Sequence, residues 1–307
     1  PYAAYLNGGV FYFYSRKSSC ANTVTFSNSS FSNNVVQLND TLNQKDAWAS
    51  GGAMAVKGMS ITFDNVSFNN NKVEATVEDN AATGTVGAAA TGGALVLDRT
   101  VSGSFDQAAK AIFNVTKDLS YTGNSVSSPS KNYAQAYGGY NTTSGGFMFM
   151  DRPSEATFNI AKGATLTLGV KNAANAVDDS IASSIHGDKV QGDNIITKTG
   201  DGNLVIHSTL NDYFGKVEVT EGSMSVSRDW TIKNEVRVTG GTLILNGKIG
   251  FGGFKTSATE KGIDKAVRDT TGSLVVDGKG ELVTLIGNVF ADGEKDATFE
   301  SKSVALK

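Results

Sequence analysis

Short runs in which apolar and polar residues alternate recur along the whole chain. Val24-Thr25-Phe26-Ser27-Asn28 and Ile61-Thr62-Phe63-Asp64-Asn65 are near copies of each other, with their apolar residues two positions apart. That period places every second side chain on one face, the signature of a half-buried strand. Gly215 to Val219, Gly222 to Val226, Val236 to Val238, Gly241 to Leu245 and Gly272 to Val276 continue the pattern, most of them opening on a glycine. The alternation predicts an all-β chain.

A longer period is superimposed on the short one. Four units open on paired glycines followed by an apolar or alternating run: Gly8-Gly9-Val10-Phe11, Gly51-Gly52-Ala53-Met54, Gly92-Gly93-Ala94-Leu95 and Gly145-Gly146-Phe147-Met148. The first three then close on an aromatic residue with Asn three positions later: Phe31 to Asn34, Phe68 to Asn71 and Tyr121 to Asn124. Repeats of this kind belong to stacked coils, in which each unit buries its apolar face on the next. Gly reaches positive φ freely and Asn tolerates the left-handed region, so both suit sharp corners, while Phe fills the interior. The expected fold is a right-handed, single-stranded parallel β-helix, each unit making about two rungs. Its expected parts are residues 1–178, carrying the glycine and aromatic-Asn repeat with long insertions, and residues 179–307, a continuation of different character.

The quoted motifs resemble the GGA(I/L/V) and FxxN repeats of the chlamydial polymorphic membrane proteins, which Gly92-Gly93-Ala94-Leu95, Phe31-Ser32-Asn33-Asn34 and Phe68-Asn69-Asn70-Asn71 fit literally. Met54, Val10, Phe147 and Tyr121 depart from the pattern. In the second part, Ile195 to Ile206 with Gly215 to Val219 and Gly222 to Val226 resembles the passenger-associated repeat of autotransporters. These resemblances imply secretion to the bacterial cell surface or outer membrane, and an adhesin that meets a host-cell protein or glycan, or that self-associates. A polysaccharide-active β-helix enzyme, with carboxylates such as Asp64 and Asp98 converging in a cleft, is the alternative. A passive stalk is the third reading.

Composition narrows the chemistry. The 307 residues include 35 Gly but 3 Pro, and carry a net charge of −3, which offers no basic field for nucleic acid. One cysteine, Cys20, excludes an intrachain disulfide, and with His186 and His207 as the two histidines no zinc site and no cofactor are expected. The histidines are expected at the surface or in turns. No GxSxG, HExxH or P-loop occurs, so no catalytic activity is expected. Asp178, Asp179, Asp188 and Asp193 read as a solvated connection between the two parts, because their spacing fits no calcium loop. The chain reads as a fragment, and any membrane anchor is expected outside it.

Three insertions remain: Leu38 to Ser50, Glu74 to Thr91 and Ser127 to Ser144, each just before a glycine pair. In stacked coils they emerge from one corner and form one edge. Trp48, Tyr133, Tyr137 and Tyr140 lie among them and are the candidate binding residues, since exposed aromatics suit contact with sugars or proteins. The alternative is that they only pin their own loops.

Overall fold

The structure, a computed structural model, describes residues 5–15, 23–39, 48–76, 89–102, 105–129, 143–151, 153–184, 193–252, 254–255, 269–270, 272–278, 284–289, 298–303 and 305–306. Among them every element is a strand, and apart from the short antiparallel pairs Thr100–Ser102 with Phe105–Gln107 and Phe254–Lys255 with Asp269–Thr270, all pairing is parallel. The chain is a parallel β-helix.

In the first part each of the first three coils visits five sheets in turn, and the fourth visits four. Sheet A holds Tyr5–Asn7, Trp48–Ser50, Ala89–Thr91 and Thr143–Ser144; sheet B holds Phe11–Tyr14, Met54–Lys57, Leu95–Asp98, Met148–Asp151 and Ile181–Ser183. Sheet C starts with Thr23–Ser27, Ser60–Asp64, Lys110–Val115 and Glu155–Ile160. Sheet D starts with Leu119–Tyr121 and Thr165–Leu168, and the pair Ser30–Ser32 and Ser67–Asn69 joins it through a bridge from Asn69 to Thr122. Sheet E holds Val35–Leu38, Lys72–Ala75 and Ser125–Ser127. Each repeat unit is therefore one wide coil rather than two rungs, because the Val24 and Phe31 runs lie on different sides of the same turn. Alternation marks a strand but does not say which side of a coil it occupies.

Beyond Ser183 the coils narrow. Sheet C continues through Ile195–Thr199, Lys216–Val219, Glu235–Val238, Ser273–Asp277 and Thr298–Ser303. Sheet D continues through Asn203–Ile206, Ser223–Val226, Thr242–Phe251, Thr284–Val289 and Ala305–Leu306. Lys57 and Asp98, one coil apart in the first part, are 41 residues apart in sequence, whereas Arg228 and His207 in the second are 21 apart. One cluster of buried side chains still runs from Phe31 to Val276 through both parts.

The two glycines of each pair do different work. Gly8, Gly51, Gly92 and Gly145 have φ between 60° and 73°, where a side chain is strained. A Cβ on Gly9, Gly52 or Gly93 would instead lie 2.0–2.1 Å from the carbonyl oxygen of the matching glycine one coil on, so the second glycine permits the coils to stack. Phe31 stacks on Phe68 at 5.4 Å between ring centroids, and Tyr121 meets Phe68 edge-on at 5.5 Å. A second column in sheet C, Phe26, Phe63, Phe113 and Phe158, has successive centroid distances of 6.2, 5.1 and 4.8 Å. The next position in that column is Lys198. Its side chain is fully buried, and Nζ donates to the carbonyls of Thr199, Gly200 and Glu221 at 2.8, 2.6 and 3.1 Å.

The Asn of the aromatic-Asn motif does not occupy the left-handed region. Asn33, Asn70 and Gly123, one position earlier, do. Instead the three Asn side chains form a ladder along the helix axis, each Nδ2 donating to the next residue's Oδ1 at 2.8 Å: Asn34 to Asn71, Asn71 to Asn124, and Asn124 to Asp179. Asn71 and Asn124 each give a second Nδ2 bond to the Phe31 or Phe68 carbonyl, and their oxygens also accept the backbone N–H of Asn34 or Asn71. Both amides are thus fully satisfied, as burial requires. Asp179 closes the ladder because a carboxylate needs no acceptor of its own: Oδ1 takes the backbone N–H and Nδ2 of Asn124, and Oδ2 takes the Gly123 N–H, each at 2.8 Å.

Asp179 is therefore not part of a solvated connection, since it is 2% exposed. Burial pushes its carboxyl up from 3.8 to about 6, against the pull of its three donors and with Asp178 adding to the rise. A folded-state value above the unfolded one means the native protein binds more protons between the two, so this contribution to stability is greatest below pH 3.8 and is lost as pH rises to 6. The expected difference is on the order of 2–3 kcal/mol. Asp179→Asn sets an N–H donor against a donor whichever way the amide points, which costs about 1–3 kcal/mol. Urea midpoints at pH 4 and pH 7 should therefore differ more for the native chain than for Asp179→Asn, which keeps its penalty but loses the pH dependence.

Candidate functional site

The three insertions leave sheet E and return in sheet A. Lys72–Ala75 pairs in register with Val35–Leu38 and with Ser125–Ser127, and Ala89–Thr91 pairs with Trp48–Ser50 and with Thr143–Ser144. The chain therefore exits and re-enters at the same place on three successive coils. Val36, Leu38, Val73, Ala75 and Val126 of sheet E pack with Ala49 and Ala90 of sheet A in a small core of their own, which holds these roots together. The roots reach further into the insertions than expected, with Leu38, Trp48 to Ser50, Glu74 and Ala75 all in strands.

Trp48 is one of those strand residues. It is half-buried, its Nε1 donates to Thr91 Oγ1 at 2.8 Å, and its ring meets Phe149 edge-on at 6.2 Å. The outer face of sheet B carries Ala55, Val96, Phe149 and Ala182, which need a cover, and Trp48 and Ala89 of sheet A supply it. Trp48 thus fastens sheet A to sheet B. Tyr133, Tyr137 and Tyr140 lie outside the described residues, as do Cys20, His186 and Asp188.

The carboxylates named above sit apart. Asp64, on sheet C, accepts from Asn114 Nδ2 at 2.7 Å and Ser27 Oγ at 3.2 Å, and Asn159 extends this row by donating to Asn114 Oδ1 at 3.0 Å. Asp98, on sheet B, accepts from Lys57 Nζ at 2.6 Å. Asp193 accepts from Asn234 Nδ2 at 3.2 Å and lies 3.3 Å from Lys216 Nζ. Among the described residues no group of three or more His, Cys, Asp or Glu side chains is placed to hold a metal, and no helix is long and apolar enough to cross a membrane. His207 is half-buried at the end of a sheet D strand, with Nδ1 3.0 Å from Ser227 Oγ.

A coil of parallel strands with loops rooted at one corner can be set beside known proteins. The chain is similar to part of an autotransporter. Over 125 residues, 40% of its length, it is 34% identical to "Probable autotransporter YfaL" of Escherichia coli (strain K12), and it spans 9% of that protein. No family model matches, and no solved structure matches. The match supports an autotransporter passenger, and the autotransporter resemblance drawn from the repeats agrees with it.

Asp179 and Lys198 are interior residues that no sequence motif marks. Lys198 had a signal, because the alternation through Ile196 places it inward; Asp179 stands alone on its coil and had none.

Proposed function

We propose that this segment is a secreted, surface-exposed autotransporter passenger that acts as an adhesin or self-association module through its insertion corner. The observation that carries this reading is the in-register stacking of the six strands from which residues 40–47, 77–88 and 130–142 depart. Such stacking concentrates three variable segments on one side of a rigid scaffold, the usual arrangement of binding loops. The likeness to the chlamydial polymorphic membrane proteins rests on motifs and points to the same activity. Contact with a host-cell protein or glycan, or with a second cell bearing the same chain, suits tyrosine-bearing loops, because aromatic anchors carry much of an interface's energy.

The test leaves Trp48 in place, since its loss would loosen sheet A. Tyr133, Tyr137 and Tyr140 are replaced with Ala and compared with a variant altered at the outward-facing Thr157 and Thr197 of sheet C. Binding to host cells, glycans or like cells should drop tenfold or more in the first and stay unchanged in the second, with identical β spectra. Equal binding in both would support the passive stalk. Depolymerisation of a polysaccharide by the purified chain would support the enzyme instead.

A further inference from the structure

At the end of sheet D the residues that follow three successive strands stack on one another. His207 N donates to Leu168 O at 2.8 Å and Ser227 N to Ile206 O at 2.9 Å, so Gly169, His207 and Ser227 occupy one corner of three coils. The glycine contributes no side chain to this corner. Ser227 Oγ lies against Nδ1 on the other side. Arg228 donates from Nε to His207 O at 2.9 Å and from Nη2 to Ala173 O, which spans its guanidinium from the corner to the loop carrying Lys171. A guanidinium held by carbonyls keeps its full charge, and among the described residues neither Arg228 nor Lys171 has a carboxylate partner.

Of the neighbouring acids, Asp178 and Asp179 are held by other side chains, while the exposed Asp229 stands beside Arg228 and within the same corner. Asp229 Oδ1 accepts the backbone N–H of Lys248, Asp178 Oδ1 accepts from Asn175 Nδ2, and Asp179 closes the Asn ladder. Burial and then Lys171 and Arg228 hold the His207 imidazole below its usual value, so both cations act on the corner. Lys248, exposed like Lys171, belongs to the coil after Arg228, and its N–H reaches back to Asp229. Lys171, Arg228 and Lys248 therefore form a row of positive charge running along the coil axis, on a chain whose net charge is −3. Coils repeat every ~4.8 Å along that axis. Three cations against the one exposed carboxylate of Asp229 leave an excess of positive charge, flanked by an imidazole and a hydroxyl, that suits a linear polymer with repeated oxyanions.

We infer that the corner formed by Lys171, His207, Ser227, Arg228 and Lys248 is a binding site for an acidic polysaccharide, with its carboxylate or sulfate groups set along the row. Lys171 and Lys248 meet the charge from solvent, Arg228 fixes the direction of approach, and the hydrogen-bonded pair of His207 and Ser227 offers one donor beside it, the imidazole N–H or the hydroxyl according to the tautomer. This site is separate from the insertion corner, and either can fail without the other.

Histidine resonances provide the test, because the chain has two histidines and His186→Gln leaves His207 as the single imidazole. The purified chain is titrated with oligogalacturonate, which carries carboxylates alone, with a heparin-derived oligosaccharide, which adds sulfates, and with neutral dextran. Binding of either acidic probe should raise the His207 pKa by about half a unit or more, because an anion favours the charged ring. It should weaken steeply with added salt. Lys171→Glu with Lys248→Glu should reduce that affinity at least tenfold with the β spectrum unchanged. An effect with both probes, or with one of them, supports the site and tells which oxyanion it prefers. A His207 resonance untouched by both at low salt, equal response to dextran, or undiminished binding by the double variant would overturn it. The Tyr133, Tyr137 and Tyr140 variant should bind these probes as the native chain does, which separates this result from that of the insertion corner.

Discussion

Phe68→Ala is expected to cost about 3–5 kcal/mol, read as a fall in the urea midpoint of the first part. Phe68 has no exposed surface and touches five other rings: Phe31, Phe63, Phe113, Tyr121 and Phe147, with centroids 5.1 to 6.5 Å away. Those rings belong to sheets C and D and to the turn before sheet B, on several coils, so they cannot close the cavity together without shifting the strands that hold them. The loss should be local, because coils contact mainly their neighbours and stability is nearly a sum over adjacent pairs. Amide exchange should accelerate around Asn71 and Asn124 while the strands beyond Lys216 remain protected. Uniform loss of protection, or a midpoint that does not move, would contradict this packing.

Gly93→Ala should be at least as harmful although it adds one methyl group. That carbon would lie 2.1 Å from Gly146 O, 2.5 Å from Ser125 O and 2.7 Å from Ser125 N, all backbone atoms, those of Ser125 in a sheet E strand and that of Gly146 in the turn bonded to Gly93 from the next coil. A side chain can rotate away from such a contact, but a backbone in register cannot, so two coils must separate at that corner. The expected cost is about 3 kcal/mol or more, at the upper end for overpacking. Gly163→Ala is the control: its Cβ would meet nothing within 4 Å, although its φ of 81° adds some strain. Thermal unfolding of the two variants should separate crowding between coils from the strain of a left-handed residue.

These two positions show where the sequence was legible. Phe68 faces inward as expected because the turn at Asn65, with φ of 51°, resets the two-residue phase, so that Val66 and Phe68 point to the same interior as Phe63. The glycine pairs were recognised as corners, yet the closeness of Gly93 to the next coil follows from stacking distance, which no local pattern encodes. The motif Asn residues were read as turn formers because Asn commonly has that role. Their columnar bonding appears only when residues 37 and 53 positions apart are brought together. Trp48 reads as a candidate binding residue in a polar insertion, whereas the apolar outer face of sheet B that it covers is assembled from four separate coils. The insertion corner itself was predictable, since three segments at the same phase of a repeat must emerge together.

The change from five sheets to two has a mechanical consequence. Tension along the axis pulls directly on the hydrogen bonds between coils, and all the bonds at one junction share the force. Junctions in the first part spread it over strands of up to five sheets plus the Asn column, whereas those beyond Ser183 rely mainly on sheets C and D. The narrow part is therefore the fuse. Its short coils, between Ile195 and Leu245, each pay out ~7 nm of chain on opening, while a 41-residue coil of the wide part holds back ~14 nm. A pulled molecule would lengthen in small steps at its narrow end while the wide end, with its insertions, stays folded.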